Sequence, residues 1–288
     1  MGLDLKAAEN IAHVLTEALP YIQKFSGWNL VIKYGGNAMI DEKLKASFAS
    51  DVALMKAVGM NPIIVHGGGP QIGEALAKMG KKSEFLEGMR KTDRETMDVV
   101  EDVLLNDINK EIVNLINDYG GSAFSVVGKN KNFILAEKLK VSKEQIDIGF
   151  VGKVKTINKD ILQQTINENR IPVIAPIGID ENGNSYNINA DLVAGKISEI
   201  IIAEKLILLT NIAGVYDENR NLLSQIKTQD VKSLVDRGVI TSGMLPKIDC
   251  ALNAVNSGVK MAHIIDGRIK NAVLLELFTD QGIGTLIN

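Results

Sequence analysis

Cysteine is almost absent from this 288-residue sequence, since Cys250 is the only one. A lone cysteine cannot form an intramolecular disulfide, so the chain shows no dependence on an oxidising compartment, and we expect Cys250 to be a buried apolar thiol. Apolar runs long enough to cross a membrane are also missing. Near the N-terminus, Asp4 and Glu9 stand where a secretory signal carries positive charge. These absences predict a cytoplasmic protein.

A strong charge of either sign is missing as well. The 32 basic and 35 acidic residues give a formal net charge of -3, without a charged tail that would bind nucleic acid. We therefore expect a small-molecule partner. With 45% hydrophobic residues, the chain can bury a substantial core, in one large domain or two modest ones.

Short aliphatic runs alternate with amphipathic segments through much of the chain. Strands are predicted at residues 30–33 and 62–65, and helices follow at residues 41–58 and after Pro70. The alternation resumes with a predicted helix at residues 190–203, strands at 206–210 and 263–265, and helices near Asp230 and Leu245. This pattern indicates an α/β sandwich with a parallel sheet, whose ligands bind beyond the carboxyl ends of the strands.

The middle of the chain is less regular. A long polar helix is predicted around residues 94–118, followed by short alternating strands that we interpret as hairpins, and by a buried strand. The hairpin strands are placed at residues 124–127, 133–135 and 151–156, and the buried strand at 172–177. Asn182-Gly183 is the strongest turn signal. We place a domain boundary close to it, between residues 28–180 and 181–288.

Residues 1–27 form a separate N-terminal segment with the pattern of an amphipathic helix. Apolar residues recur at intervals of three and four, at Leu5, Ala8, Ile11, Ala12, Leu15, Leu19 and Ile22. A single apolar stripe must be buried, but the sequence leaves open whether it packs on its own chain or on a partner's.

Two glycine-rich turns follow the first two predicted strands. Lys33 is followed by Gly35 and Gly36, which lets backbone amides approach an anion beside a lysine charge. The second turn, residues 66–70, has three consecutive glycines before a helix N-terminus, where amides and the helix dipole favour negative charge. Neither turn is a Walker loop or the dinucleotide fingerprint. We expect His66 to pack or bond locally rather than to catalyse.

Further motifs follow the glycine turns in a fixed order. They are Gly88-Met89-Arg90, Asn187-Ile188-Asn189-Ala190-Asp191, Thr210-Asn211 leading to residues 214–217, and Gly243-Met244-Leu245-Pro246-Lys247. Together with the glycine turns, this order resembles the amino acid kinase superfamily, and the stretch from Tyr21 to nearly the last residue resembles the N-acetylglutamate kinases. The resemblance implies a three-layer αβα sandwich with a mainly parallel central sheet and two lobes.

The same resemblance implies ATP-dependent phosphorylation of the side-chain carboxylate of N-acetyl-L-glutamate, giving N-acetylglutamyl phosphate for arginine biosynthesis. Lys33 and Lys247 would contact the phosphoryl oxygens, while Asp191 holds both lysines in place. Mg²⁺ would be carried by the ATP phosphates rather than by a dedicated protein site. A carboxylate acceptor is already ionised near neutral pH, so the lack of a convincing catalytic histidine fits this chemistry.

The remaining substrate contacts are also implied by the resemblance. Arg90 suits the α-carboxylate of the acceptor, because its planar guanidinium can bind a carboxylate in a bidentate manner. The implied acceptor residues are Gly68, Gly69, Arg90 and Asn187, and the implied nucleotide and phosphate residues are Gly35, Gly36, Thr210, Asn211, Gly214 and Tyr216.

The predicted N-terminal helix of this chain is similar to the helix that precedes the first strand in the arginine-inhibited members. In those members, the helix links dimers into a hexamer. The resemblance therefore implies a homo-oligomer with feedback inhibition by arginine. The arginine pocket would be formed by Tyr21, Lys205, His263, Glu276 and Gly282. Arginine would favour one of two arrangements of the lobes or subunits. This requires arginine to bind the two arrangements with different affinities.

The residues leave other acceptors and one non-catalytic function open. Aspartate kinase, glutamate 5-kinase, carbamate kinase and uridylate kinase share the lysine and glycine motifs. The lack of a C-terminal sensor domain weighs against a typical aspartate kinase, and Arg90 favours an amino-acid carboxylate over carbamate. A catalytically inactive arginine sensor would lack a phosphate-site residue, whereas Lys33, Asp191 and Lys247 are all present.

Overall fold

The computed structural model describes residues 5–127, 133–141, 146–240, 244–280 and 282–288. Gly243 of the Gly-Met-x-x-Lys motif therefore lies outside the described residues. The helices are α1 (Leu5–Phe25), α2 (Glu42–Ala57), α3 (Gly69–Lys78), α4 (Arg94–Asp102), α5 (Lys110–Asp118), α6 (Lys159–Asn167), α7 (Ala190–Ile201), α8 (Val231–Asp236), α9 (Leu245–Asn256) and α10 (Ala272–Phe278). The strands are β1 (Asn29–Tyr34), β2 (Asn61–His66), β3 (Phe85–Leu86), β4 (Met89–Arg90), β5 (Ala123–Val126), β6 (Ile134–Val141), β7 (Ile146–Ile157), β8 (Ile171–Ile174), β9 (Ile177–Ile179), β10 (Ser185–Ile188), β11 (Lys205–Thr210), β12 (Gln225–Ile226), β13 (Met261–Asp266) and β14 (Thr285–Ile287).

An eight-stranded sheet forms the centre of the molecule, in the order β12-β14-β13-β11-β1-β2-β8-β5. Its neighbouring strands are parallel except for β13 and β14. Strand β1 lies between β2, from the first half of the chain, and β11, from the second. The predicted α/β fold with a mainly parallel central sheet is confirmed. Of its inner strands, β1, β2, β8, β11 and β13 coincide with predicted aliphatic runs, whereas β14 was not predicted.

Helices cover both faces of this sheet and create two separate cores. Successive side chains of a strand point to opposite faces, so Leu30 and Ile32 pack toward α2, α3 and α10, whereas Val31 packs toward α7 and α9. All three side chains are fully buried. This arrangement confirms the predicted three-layer sandwich. It also places Lys33 on the same sheet face as Val31, beneath the start of α7.

A second, small sheet closes on itself in the order β10-β7-β6-β9. The predicted hairpin strands at 133–135 and 151–156 belong to it, as the antiparallel pair β6 and β7. The hairpin predicted at residues 124–127 is wrong, because β5 is a parallel edge strand beside β8. Phe124 is 44% exposed and Val126 is buried. The two side chains lie on the same face of the strand, so β5 is only partly covered, and its sequence resembles that of a partly exposed hairpin strand.

The strand predicted at residues 172–177 is two strands rather than one. Strand β8 ends in the central sheet, and β9 begins three residues later in the small sheet. Pro176 lies between them and has no N–H to donate to a ladder, so a continuous central strand is disfavoured there. The Asn182-Gly183 turn is confirmed, with Gly183 at φ +82°.

The polar helix predicted at residues 94–118 is confirmed as a continuous helical segment, in which α4 and α5 are joined by a π-helical stretch, Val103–Asn109. Leu104, Ile108 and Asn109 of this stretch are buried. An added Cβ on Gly68 would lie 2.5 Å from Leu104 Cδ2 and 2.7 Å from Ile108 Cδ1. The π-helical stretch therefore packs directly against the second glycine turn.

The N-terminal helix α1 keeps most of its apolar stripe away from its own chain. Leu5, Ile11, Val14, Leu15 and Leu19 are 46–68% exposed, and Phe25 is the buried residue of the helix. Its last turn packs on α10, with the rings of Tyr21 and Phe278 6.2 Å apart in an edge-on arrangement. Among the described residues, no helix has both the length and the apolar character needed to span a membrane.

A buried carboxylate on α2 holds the N-terminus of α10. Asp51 is 1% exposed, and its Oδ1 accepts a 2.7 Å hydrogen bond from Asn271 Nδ2. It also accepts from the backbone amides of Val273 and Leu274. Burial raises the pKa of Asp51 to about 6, and the hydrogen bonds only partly oppose this shift. Asp51 is therefore a pH-dependent connection between α2 and α10.

We predict that Asp51→Asn weakens the pH dependence of folding stability. The folded-state pKa lies above the unfolded value, so protonation of Asp51 stabilises the fold, and this contribution is lost as the pH rises through about 6. Between pH 5 and pH 7, the free energy of unfolding should fall by about 1 kcal/mol more in the wild type than in the variant. Urea unfolding at both pH values measures this difference. Asp249→Asn, which changes an exposed carboxylate, is the control, and identical pH profiles for wild type and Asp51→Asn would contradict the assignment.

Candidate active site

A cleft of about 890 Å³ lies beyond the carboxyl ends of β1 and β2. Both glycine turns, the N-terminus of α7, and β4 of the β3–β4 hairpin contribute to its walls. The functional candidates that line it are Lys33, Gly35, Gly36, Gly68, Gly69, Arg90, Asn187 and Asp191. Residues predicted to bind phosphate and residues predicted to bind the acceptor thus share one cavity.

Asp191 forms ion pairs with two lysines that come from distant parts of the chain. Lys33 Nζ lies 3.1 Å from Asp191 Oδ1, and Lys247 Nζ lies 2.6 Å from Asp191 Oδ2. The three side chains are mostly buried, with 10–19% of their surface exposed. One carboxylate faces two ammonium groups, which leaves a formal positive charge beside the cleft. This charge favours an anionic ligand.

The position of Asp191 is fixed by the start of α7. Asn189 caps this helix, and its Oδ1 accepts a 2.8 Å hydrogen bond from the Asp191 amide. Cys250 of α9 donates its thiol to the Asp191 carbonyl, and burial raises the pKa of this thiol to about 12. Cys250 is buried and forms no disulfide, as predicted. The thiol thereby joins α9, which carries Lys247, to the helix that carries Asp191.

Burial and charge act in opposite directions on the Lys33–Asp191–Lys247 cluster. Burial raises the pKa of Asp191, but the two lysines outweigh it and the net shift is downward. Burial lowers the pKa of Lys33, with Lys247 adding to the shift and Asp191 opposing it. Asp191 is consequently a carboxylate at neutral pH.

The first glycine turn has no room for side chains. A Cβ on Gly35 would lie 2.8 Å from Lys33 Nζ, because the lysine side chain folds back over the turn. Gly36 has φ +73°, and a Cβ there would lie 2.6 Å from Asn211 Oδ1. That same oxygen accepts a 3.0 Å hydrogen bond from the amide of Asn37. Asn211, from the second half of the chain, therefore holds the turn next to Lys33.

Arg90 lines the same cleft as Lys33 and is itself held firmly. It donates to the hydroxyl of Ser83 and, over 2.9 Å, to the carbonyl of Gly69, and its guanidinium lies 4.8 Å from the centroid of the Phe85 ring. Burial lowers its pKa. Asn187 Nδ2 donates to Thr92 Oγ1 over 3.4 Å. These contacts place a cation and an amide where they can bind a carboxylate and a polar group.

Ser83 and Phe85 are site residues that the sequence did not reveal. Both lie between α3 and β4, in a short segment without a motif, and they reach Arg90 only after the β3–β4 hairpin has formed. Asn109 was also missed, although a polar residue at a core position of an apolar helix face was a usable signal.

The predicted nucleotide residues of the second half lie apart from the cleft described above. Thr210 ends β11, and Asn211 contacts the first glycine turn, while Gly214 and Tyr216 belong to the following loop. A Cβ on Gly214 would clash with the hydroxyl of Thr285, which accepts a 2.9 Å hydrogen bond from the amide of Val215. Of these four residues, only Asn211 is therefore directly linked to the lysine side of the site.

A second cavity, of about 1350 Å³, lies between the end of α1 and α10. It is lined by all five residues predicted for arginine, namely Tyr21, Lys205, His263, Glu276 and Gly282. Glu276 Oε1 lies 2.5 Å from His263 Nδ1, and Glu276 Oε2 accepts a 2.7 Å hydrogen bond from the amide of Ile283. Gly282 has φ +60°, and a Cβ there would lie 2.8 Å from Glu276 Oε2.

The charges in this second cavity suit a ligand with both signs. Burial lowers the pKa of Lys205 to about 8, with Glu276 opposing the shift. Burial raises the pKa of Glu276, but His263, the Ile283 amide and Lys205 together outweigh it, and the carboxylate stays ionised at neutral pH. Tyr21 donates its hydroxyl to Asp280 over 2.5 Å at the α1 side. Asp280 was absent from the predicted pocket residues.

No cluster of three or more His, Cys, Asp and Glu side chains with the geometry of a metal site occurs within the described ranges.

Comparison with known proteins gives a consistent pattern. The model of the amino acid kinase family matches residues 29–266. The acetylglutamate kinase of Nitrosococcus oceani is 58% identical over 297 residues, covering 100% of this chain and 99% of the relative. That of Stutzerimonas stutzeri is 58% identical, covering 100% and 98%. The structure of N-acetylglutamate synthase from Neisseria gonorrhoeae, complexed with coenzyme A and L-arginine, matches with a TM-score of 0.82 at 22% identity, over 96% of this chain and 65% of the synthase chain. It shows a shared fold.

We predict that Asp191→Asn destabilises the protein. The change leaves two largely buried ammonium groups without a carboxylate, and removal of one partner from a buried ion pair costs about 3–5 kcal/mol. The free energy of unfolding at pH 7 should fall by about 3 kcal/mol. The pKa of Asp191 is lowered in the folded state, so the advantage of the wild type should be lost as the pH falls through that pKa.

Urea unfolding of the wild type, Asp191→Asn and Asp249→Asn measures this effect. Asp249 is an exposed carboxylate on α9, the helix that also carries Lys247, so its variant should match the wild type within about 0.5 kcal/mol. Equal stability of Asp191→Asn and Asp249→Asn would show that the ion pairs do not hold this part of the structure together.

Proposed function

The chain belongs to the amino acid kinase family, and from this premise we propose that it transfers the γ-phosphoryl group of ATP to the side-chain carboxylate of N-acetyl-L-glutamate. The product is N-acetylglutamyl phosphate, an intermediate of arginine biosynthesis. The observation that carries the proposal is the pairing of Lys33 and Lys247 through Asp191, beside a cleft that Lys33 and Asp191 line together with Arg90. Acetylglutamate kinases 58% identical over the whole chain support the acceptor.

The reaction brings an anionic donor to an anionic acceptor, so neutralisation of charge is the main task of the site. In the proposed mechanism, the ammonium groups of Lys33 and Lys247 contact the transferred phosphoryl group, and Asp191 keeps them in place. The backbone amides of Gly36 and Gly68 donate to the same group. The attacking carboxylate is already ionised, so no side chain has to remove a proton. Mg²⁺ carried by the nucleotide phosphates would supply further positive charge at this position.

The acceptor is proposed to bind on the side of the cleft formed by residues 28–180. Arg90 binds its α-carboxylate. The Gly69 amide binds another of its polar groups, together with Asn187, which reaches the cleft from the second half of the chain. ATP is proposed to bind on the side formed by residues 181–288, against Thr210, Asn211, Gly214 and Tyr216, with its phosphates over Gly35 and Gly36. The link from Asn211 to the first glycine turn supports an approach of the nucleotide from the second half of the chain.

Hydroxylamine trapping of the acyl phosphate tests this function. The purified protein is incubated with Mg-ATP and one acceptor at a time, chosen from N-acetylglutamate, glutamate, aspartate and carbamate. Hydroxamate from N-acetylglutamate alone is the expected result. Hydroxamate from glutamate or aspartate instead would overturn the assignment of N-acetylglutamate as the acceptor. No hydroxamate with any acceptor would favour a non-catalytic arginine sensor.

We predict that Lys33→Ala and Lys247→Ala each lower kcat by about a hundredfold or more, because each removes a preorganised positive charge at the transferred group. Circular dichroism checks that both variants are folded. The control is Lys232→Ala, which removes an exposed lysine of α8 and should keep the wild-type kcat. A kcat within threefold of the wild type in both test variants would remove the lysines from the mechanism.

A second proposed role, feedback inhibition by arginine, is favoured by the cavity between α1 and α10. Its walls combine the buried carboxylate of Glu276, which suits a guanidinium, with the cation Lys205, which suits a carboxylate. The exposed apolar stripe of α1 supports an assembly in which this helix packs against α1 of another copy, as a hexamer built from dimers. Sedimentation equilibrium distinguishes this assembly from a monomer.

We predict that Glu276→Gln weakens arginine inhibition at least tenfold and leaves kcat without arginine within twofold of the wild type, since Glu276 lies outside the catalytic cleft. Calorimetric titration of arginine and the arginine dependence of hydroxamate formation measure the two effects. Glu218→Gln, at an exposed position paired with Arg237, is the control. Unchanged arginine affinity in Glu276→Gln would place the inhibitor elsewhere.

A further inference from the structure

His66 ends β2 and is completely buried, yet the proposed chemistry does not use it. Burial lowers its pKa to about 4, so the imidazole is neutral at physiological pH. A neutral imidazole carries a single N–H, on either Nδ1 or Nε2. The neighbours of the ring determine which nitrogen carries this proton.

The contacts of His66 select the tautomer with the proton on Nδ1. His66 Nδ1 lies 2.8 Å from the carbonyl oxygen of Gly67, which can only accept a hydrogen bond. On the other side of the ring, Asn109 Nδ2 lies 3.1 Å from His66 Nε2 and 3.2 Å from the carbonyl oxygen of Val173. The Val173 carbonyl requires the NH₂ group of Asn109 to face this way, so Nε2 must be an acceptor.

Asn109 retains this orientation although another of its atoms is unsatisfied. Its Oδ1 is buried without a hydrogen-bond partner among the described residues, which is unfavourable. The side chain lies at the end of the π-helical stretch Val103–Asn109, and such stretches occur often at functional sites. The two hydrogen bonds that Asn109 donates, to the Val173 carbonyl and to His66 Nε2, hold its amide in this orientation.

The orientation of Gly67 determines the orientation of the following amide. The peptide bonds of the described residues are trans, so the Gly67 carbonyl and the Gly68 N–H point in opposite directions. With the carbonyl directed at the His66 ring, the Gly68 N–H is directed away from it. Leu104 and Ile108 pack against Gly68, and the Gly67 amide donates to the Tyr34 carbonyl over 2.7 Å. The peptide plane is thus held from several sides.

We propose that His66 is a positioning residue for phosphoryl transfer: Asn109 holds its Nδ1–H tautomer, and the Nδ1–H in turn fixes the Gly67 carbonyl and aims the Gly68 N–H at the transferred group. This inference rests on the proposed function, since it assigns the Gly68 amide to the phosphoryl group. His66 touches no substrate and acts only through the glycine turn.

A matched pair of variants separates the hydrogen bond from the shape of the side chain. Asn and Leu have nearly the same size, but only the Asn amide can donate to the Gly67 carbonyl as Nδ1 does. We expect His66→Asn to keep kcat within about threefold of the wild type and His66→Leu to lower it about tenfold or more, with the KM for ATP changed less than twofold. A purely structural role would reduce the folded fraction and leave kcat per folded molecule equal in the two variants, which would overturn the proposal.

The tautomer gives a readout that does not depend on activity. The chain has three histidines, so the ¹⁵N signals of the His66 ring are identified by their loss in His66→Asn. We expect the Nδ1–H tautomer in the wild type, a loss of that preference in Asn109→Leu, and a lower kcat in the same variant. An Nε2–H tautomer in the wild type would overturn the inference even if His66→Leu failed to fold. Absence of hydroxamate from the wild type with an intact Nδ1–H signal would instead refute the proposed function.

Discussion

The arrangement of the site depends on one electrostatic constraint, the sharing of a single buried carboxylate by two lysines. Two ammonium groups cannot lie close together in a poorly solvated cleft unless an anion separates them. Asp191 supplies this anion, and its position requires β1, α7 and α9 to meet at one point. Since β1 pairs with strands from both halves of the chain, the central sheet is the framework that brings these elements together.

Around this cluster, the backbone provides the remaining donors, and packing explains why the turns consist of glycine. Gly35 and Gly36 are confined by Lys33 and Asn211, and Gly68 is confined by the π-helical stretch. In each case, the absence of a Cβ lets a side chain from another element lie against the backbone. In our proposal, the His66–Asn109 pair also fixes the direction of a backbone donor, the Gly68 N–H.

Much of this architecture was accessible from the sequence, because its signals are local. Aliphatic runs predicted β1, β2, β11 and β13. The family resemblance implied that Asp191 lies beside Lys33 and Lys247, and the structure pairs it with both lysines. Features set by distant contacts were not accessible. The pairing of β5 with β8, the division of residues 172–177 between two sheets, and the support of Arg90 by Ser83 and Phe85 all depend on chain segments that meet only in three dimensions.

A crystal structure with Mg-ADP, tetrafluoroaluminate and N-acetylglutamate would show which side chains contact the phosphoryl group during transfer, because the planar fluoride complex imitates that group. We expect the ammonium groups of Lys33 and Lys247 both to contact the fluoride complex while each remains paired with Asp191. We also expect Arg90 to bind the α-carboxylate of the acceptor. A fluoride complex bound away from both lysines, or a lysine that leaves Asp191 and turns out of the cleft, would contradict the proposed mechanism.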